Sequence, residues 1–262
     1  MLIPSVNLSF YGDGPPVVLI PGFASMANSW AFQYRWLKKF FKIIVVENKG
    51  ADPLSPDNSY DIDVIASEIN NAIEKHGIGK VALIGSSMGA MIALEFAQQH
   101  PERIGSLILT SLPVENSAMI KYLNEDLKQS MPLSADLEEF FKKILPLYFS
   151  SGFIQKHHFN LFADFFLKNS VNFSKDVLYA QLAAMIKWLE AERWTGGCRC
   201  PCLFVFGSDD VFIKENNIIN RINRVFAPAE VKIINDAGHA VHIEKYTEFN
   251  EIVYDFLIRN NH

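Results

Sequence analysis

Short apolar, β-branched runs recur along the chain at 17–21, 43–47, 81–85, 106–112, 202–207 and 231–235, and most are continuous rather than alternating in polarity. A strand with one wet face alternates, whereas a continuous run marks a strand covered on both faces, as in a parallel sheet. Between these runs the period lengthens. Over 61–76, Ile62, Ile65, Ile69 and Ile73 share one helical face, and Gly77 supplies a stop. Residues 88–99 predict a second helix ending before Pro101. Residues 244–258 predict a third, with Phe249, Ile252, Val253, Phe256 and Leu257 on its apolar side. Strand and helix in alternation imply right-handed crossovers and an α/β class: a doubly wound, mostly parallel sheet.

One stretch breaks the alternation. From 113 to 196 no strand pattern appears, and phenylalanines gather there as Phe140, Phe141, Phe149, Phe153, Phe159, Phe162, Phe165, Phe166 and Phe173. The expected division is a core made of 1–112 and 197–262 with a helical lid inserted at 113–196. Most of these rings are expected to build the insertion's own core, and a few to face inward and shape a pocket.

Composition narrows the function classes. With 262 residues, 49 % of them apolar and 20 % charged, the chain has ample material for a packed core. A net charge of −5 argues against a broad electrostatic footprint for nucleic acid. The longest uncharged run, 81–94, is broken by serines and glycines and falls short of the roughly 18 residues a membrane span needs. The opening MLIPSVNLSFYGDG lacks the basic and long apolar regions of a signal peptide, so a cytoplasmic location is expected.

Cys198, Cys200 and Cys202 stand at alternate positions leading into the run at 202–207. In an extended segment they would share a face yet stand too far apart for easy bridging. No further ligand lies nearby at zinc-like spacing, so they are read as inert, reduced thiols at the start of a buried strand, and no metal is expected.

The chemistry concentrates at the end of the third run. Gly85-Ser86-Ser87-Met88-Gly89 is a G-x-S-x-G sequence between a predicted strand and a predicted helix. So sharp a turn leaves no room for side chains two residues before and after its centre, which selects Ser87 over Ser86. A serine hydroxyl needs a histidine to take its proton, oriented in turn by a carboxylate. Downstream, Gly207-Ser208-Asp209-Asp210 and Asp236-Ala237-Gly238-His239 each follow a predicted strand, at the edge where parallel sheets place their sites.

These motifs, with Pro21-Gly22-Phe23, Asn48-Lys49-Gly50 and the GHAVHIE run at 238–244, make the chain resemble the α/β-hydrolase superfamily. The likeness is to small lid-bearing serine esterases, including carboxylesterases and pimeloyl-acyl-carrier-protein methyl ester esterases. The resemblance implies Ser87 as nucleophile, Asp210 rather than Asp209 as the acid, and His239 as the base. The oxyanion hole would be the backbone N–H groups of Phe23 and Met88, with Gly85 and Gly89 as the elbow glycines. It implies no cofactor. His242 resembles a position that supports the loop rather than a catalytic one.

Two segments depart from the family pattern. Pro21-Gly22 stands where His-Gly is common, and residues 47–52 read Glu-Asn-Lys-Gly-Ala-Asp where Asp-x-Arg-Gly-x-Gly is usual. The serine at the elbow excludes the aspartate chemistry of dehalogenases and epoxide hydrolases. The expected function is hydrolysis of a small-molecule ester with an apolar acyl chain. One alternative is a pimeloyl-acyl-carrier-protein methyl ester esterase of biotin synthesis, with an acyl carrier protein as partner and lysines of the insertion around the pocket mouth. Another is a ligand-binding receptor or signalling protein on the same fold.

Overall fold

The computed structural model describes residues 6–47, 60–114, 122–127, 137–156, 173–213, 215–226 and 229–260. Seven strands form one sheet: β1 (Asn7–Tyr11), β2 (Pro16–Ile20), β3 (Lys42–Glu47), β4 (Val81–Ser86), β5 (Ile104–Thr110), β6 (Cys202–Gly207) and β7 (Ala229–Ile234). Their order is β1-β3-β2-β4-β5-β6-β7, with β1 antiparallel to β3 and every other pair parallel. The six runs expected from the sequence match β2 to β7 to within two residues at either end. This is the α/β-hydrolase fold.

Both faces of the sheet are covered over β2 to β6, which is why those strands read as nearly continuous apolar runs. Val17 and Leu19 of β2 join a core with Trp30, Leu37 and Phe256, whereas Val18 and Ile20 join the opposite core with Ile65, Met91 and Leu178. The helices α1 (Ala31–Leu37) and α7 (Tyr246–Asn260) cover the first face. On the second lie α2 (Ile62–Lys75), α3 (Met88–Gln99) and α5 (Lys175–Glu190). The four isoleucines expected on one side of α2 are all buried, each worth roughly 1.5–3 kcal/mol of transfer free energy. The helix expected at 244–258 is a short turn, Val241–Glu244, followed by α7.

Between β5 and β6 the described residues hold helices and turns but no strand, among them α4 (Leu137–Ile144) and α5. Phe140, Phe141 and Phe173 enter the main core, and Phe149 packs with Leu145 and Ala240. Phe159, Phe162, Phe165 and Phe166 lie outside the described residues, as does Asn48-Lys49-Gly50. The helix α6 (Glu215–Val225) precedes β7. No helix among the described residues is long and apolar enough to cross a membrane.

The α5 helix is pinned to α3 by a buried carboxylate. Glu95 accepts hydrogen bonds from Trp188 Nε1 at 3.1 Å and from Arg193 at 2.8 Å. Removing it strands a buried indole N–H, so Glu95→Ala should cost about 2 kcal/mol, read as a lower urea midpoint. An unchanged midpoint would show that the clamp contributes nothing.

Candidate active site

The β4–α3 turn is built from backbone in contact with backbone. A Cβ on Gly85 would stand 2.2 Å from Gly89 O, and one on Gly89 would stand 2.2 Å from Ile20 O. Ser87, between them, is held at φ +54° and ψ −115°, a conformation L-residues rarely adopt and one costing on the order of 1–3 kcal/mol. Its N–H donates to Thr110 O at 2.9 Å, and its own carbonyl accepts from Ala90 and Met91 to start α3. Met88 therefore occupies the first turn, where backbone N–H groups lack partners within the helix and the dipole favours negative charge. The Pro21-Gly22-Phe23 loop leaves β2 alongside: a Cβ on Gly22 would lie 3.5 Å from Ser87 Cβ.

Asp210 and His239 meet on the neighbouring strand ends. His239 Nδ1 donates to Asp210 Oδ2 at 2.8 Å, the only direction a carboxylate permits, and both side chains are buried. Asp210 Oδ1 accepts from Phe212 N–H at 3.0 Å, so both carboxylate oxygens are engaged. In the neutral ring this leaves Nε2 as the basic nitrogen. Asp209, the other carboxylate of the turn, is exposed and accepts from Ser208 Oγ.

The serine and the histidine are anchored to consecutive residues. Thr110 O holds the Ser87 N–H, and Ser111 Oγ donates to His239 O at 2.6 Å. Ser111 is not among the residues the sequence singles out, because a serine after a strand carries no distinguishing pattern. Tyr148 and Phe212 stand edge-on to the His239 ring, at 5.3 and 5.0 Å between centroids.

Two more contributors are not singled out by the sequence, although Glu244 closes the GHAVHIE run. Glu244 Oε2 accepts from Gly238 N–H and Ser150 N–H, both at 3.0 Å, tying the loop that carries His239 to the segment before the Ser151–Ile154 turn. Its Oε1 also takes the Ser150 hydroxyl. Gln181 of α5, fully buried, accepts from Ala24 N–H at 3.1 Å and so braces the loop after β2. Its Nε2 has no hydrogen-bond partner among the described residues. The bonds to Ser150 and Ala24 run between segments distant in sequence, where local patterning gives no signal.

The family profile described as alpha/beta hydrolase fold matches residues 15–138. A 2-hydroxy-6-oxo-6-phenylhexa-2,4-dienoate hydrolase of Comamonas testosteroni is 24% identical over 256 residues, covering 94% of this chain and 88% of its own. Among solved structures, Est816, described as an N-acyl homoserine lactone degrading enzyme, superposes with a TM-score of 0.82 at 22% identity, covering 96% of both chains. The esterase EaEST of Exiguobacterium antarcticum gives a TM-score of 0.81 at 22% identity, covering 96% of this chain and 95% of its own.

His242 lies behind the site, its ring 4.5 Å from that of Trp30 and its Nδ1 without a partner among the described residues. Burial first, and then the nearby His239, push its pKa down from 6.5 to about 3. Below 6.5 the unfolded chain takes a proton that the folded chain refuses, so stability falls as pH drops toward 3. Between pH 7.5 and 5 this one group should remove about 2 kcal/mol, and His242→Gln should lack that part of the loss. Denaturation curves at the two pH values check it: an equal acid loss in both proteins would contradict a buried neutral ring.

Proposed function

We propose that this chain, which has the α/β-hydrolase fold, is a serine hydrolase that cleaves carboxylic esters bearing an apolar acyl group. The observation that carries this reading is the buried Asp210–His239 pair, anchored through Ser111 beside the residue that holds the strained Ser87. Ser87 Oγ attacks the ester carbonyl while His239 Nε2 takes its proton, and Asp210 stabilises the imidazolium. The N–H groups of Phe23 and Met88 receive the oxyanion. Collapse breaks the bond to the alcohol, which leaves with the proton from His239. Water, deprotonated by the same nitrogen, then releases the acid and restores Ser87. Tyr148, Phe149 and Phe212 near His239 favour an apolar acyl chain, whose burial contributes ~25 cal/mol per Å².

The substrate proposed is a small-molecule ester. Of the insertion's basic residues, Lys187 pairs with Asp61 and Arg193 with Glu95, Lys142, Lys143 and Lys156 are exposed, and Lys121, Lys128 and Lys168 lie outside the described residues. The related proteins named as hydrolases and esterases support the same class of chemistry.

A p-nitrophenyl ester series from acetate to laurate tests the reading. Wild type should turn over with a maximum at one chain length, and Ser87→Ala should lower kcat by at least about 10⁴-fold. Undiminished hydrolysis by the variant would remove Ser87 from the chemistry. Saturable ligand binding without multiple turnover would favour the receptor alternative.

Glu244 should behave as a positioning residue. Glu244→Ala is expected to lower kcat about 10- to 100-fold with little change in KM, because the histidine loop loses its brace, and Glu244→Gln should recover part of it. A change confined to KM would place Glu244 in substrate binding instead.

A further inference from the structure

The three cysteines stand apart from the hydrolytic machinery. Had the chain run extended through them, alternate side chains would lie about 6.6 Å apart along one face. It does not. Only Cys202 belongs to β6, and Gly197, at φ +58°, turns the chain just before Cys198. The sulfurs converge as a result: Cys198 Sγ lies 2.7 Å from Cys202 Sγ and 3.6 Å from Cys200 Sγ, and all three fall within 4.8 Å of one another. The expectation of three separated thiols on one strand face is therefore corrected.

Position and access both favour a separate site. Ile104 and Cys202 begin β5 and β6, so the cluster lies at the amino edge of the parallel strands. Ser87, Asp210 and His239 follow carboxyl ends, about 17 Å away along β6 at ~3.3 Å per residue. Cys202 is buried, while the half-buried Cys198 and Cys200 line a cavity of about 220 Å³ together with Lys80, Pro101, Ile104 and Arg199. An ion can reach the sulfurs from that side.

The donor set selects the ion. Three sulfurs each about 2.3 Å from a central metal would stand about 4 Å apart, so on binding the Cys198–Cys202 pair opens by about 1.3 Å and the Cys198–Cys200 pair by about 0.4 Å. Thiolates favour soft d¹⁰ ions such as monovalent copper or zinc, and structural zinc takes four protein ligands. Among the described residues no histidine, carboxylate or further cysteine joins the three. We infer that Cys198, Cys200 and Cys202 form a trithiolate site for a soft metal ion, with monovalent copper as its occupant. Each thiol that binds gives its proton to solvent and no electron moves.

The test uses the full chain, reduced and anaerobic, titrated with Cu(I) in competition with the chromogenic chelator bicinchoninate. One copper per chain should leave the chelator, with a copper–thiolate absorbance in the near ultraviolet. Cys200→Ser should weaken uptake at least 100-fold, and the double variant Cys198→Ser/Cys200→Ser should not compete. Both positions are half-buried, and thermal melts by circular dichroism check that the variants fold. Should they not fold, alkylation of the folded wild type with iodoacetamide should abolish uptake just as completely. Copper left with the chelator, or uptake undiminished in the double variant or after alkylation, would overturn the site. Zn(II) held more tightly than Cu(I) at one per chain would overturn the choice of metal.

Discussion

Gly85 and Gly89 lie so close to neighbouring backbone that a methyl group on either would sit 2.2 Å from a carbonyl oxygen. No side-chain rearrangement relieves a clash with main chain, so the turn from β4 into α3 exists only with both glycines in place. The tight turn lifts Ser87 off the end of the sheet, starts α3 at Met88 with its N–H groups unpartnered within the helix, and lets the loop after β2 approach the serine. A looser turn would separate those elements.

The segment between β5 and β6 is joined to this arrangement rather than resting on it. Gln181 braces Ala24 in the loop after β2, Ser150 shares Glu244 with Gly238 beside the histidine, and Trp188 bonds to Glu95 on the helix that begins at the elbow. Each contact buries a polar group whose loss would leave an unpaired donor or acceptor. A displacement of α5 must therefore break a hydrogen bond to the loop after β2, which couples the position of this segment to the residues around the elbow.

The legibility of each element in the sequence depends on where it sits. Strands β2 to β6 are covered on both faces, and their unbroken apolar runs announce it. The antiparallel β1 escapes notice because an edge strand with Asn7, Ser9 and Phe10 exposed carries neither a continuous run nor a clean alternation. Helix α1 is only seven residues long, too short for its period to stand out. The elbow, Asp210 and His239 are legible because they belong to short local motifs. Ser111 and Gln181 act through contacts that close only in three dimensions, as does Glu244 in its bond to Ser150. The cysteines mislead for a simpler reason: their alternation reads as strand, whereas the chain bends before the strand begins.

Backbone strain separates the two ends of the sheet. Among the described residues, the non-glycine positions at positive φ are Ala24, Ser87, Ser111, Glu192 and Asp236. All but Glu192 follow the carboxyl ends of strands, namely β2, β4, β5 and β7. Each of those four N–H groups is held in turn: Ala24 by Gln181, Ser87 by Thr110, Ser111 by Val205 and Asp236 by Ser208 Oγ. Strain of this kind, on the order of 1–3 kcal/mol per residue, persists only where surrounding contacts over-determine the conformation. Four such residues at one edge, in a molecule whose total stability is of order 5–15 kcal/mol, mean that the geometry there is imposed by the rest of the fold rather than by local preference. For the proposed ester chemistry, a site held in this way does not need to reorganise when charge develops on a bound carbonyl, and that is the condition under which fixed N–H donors lower a barrier most.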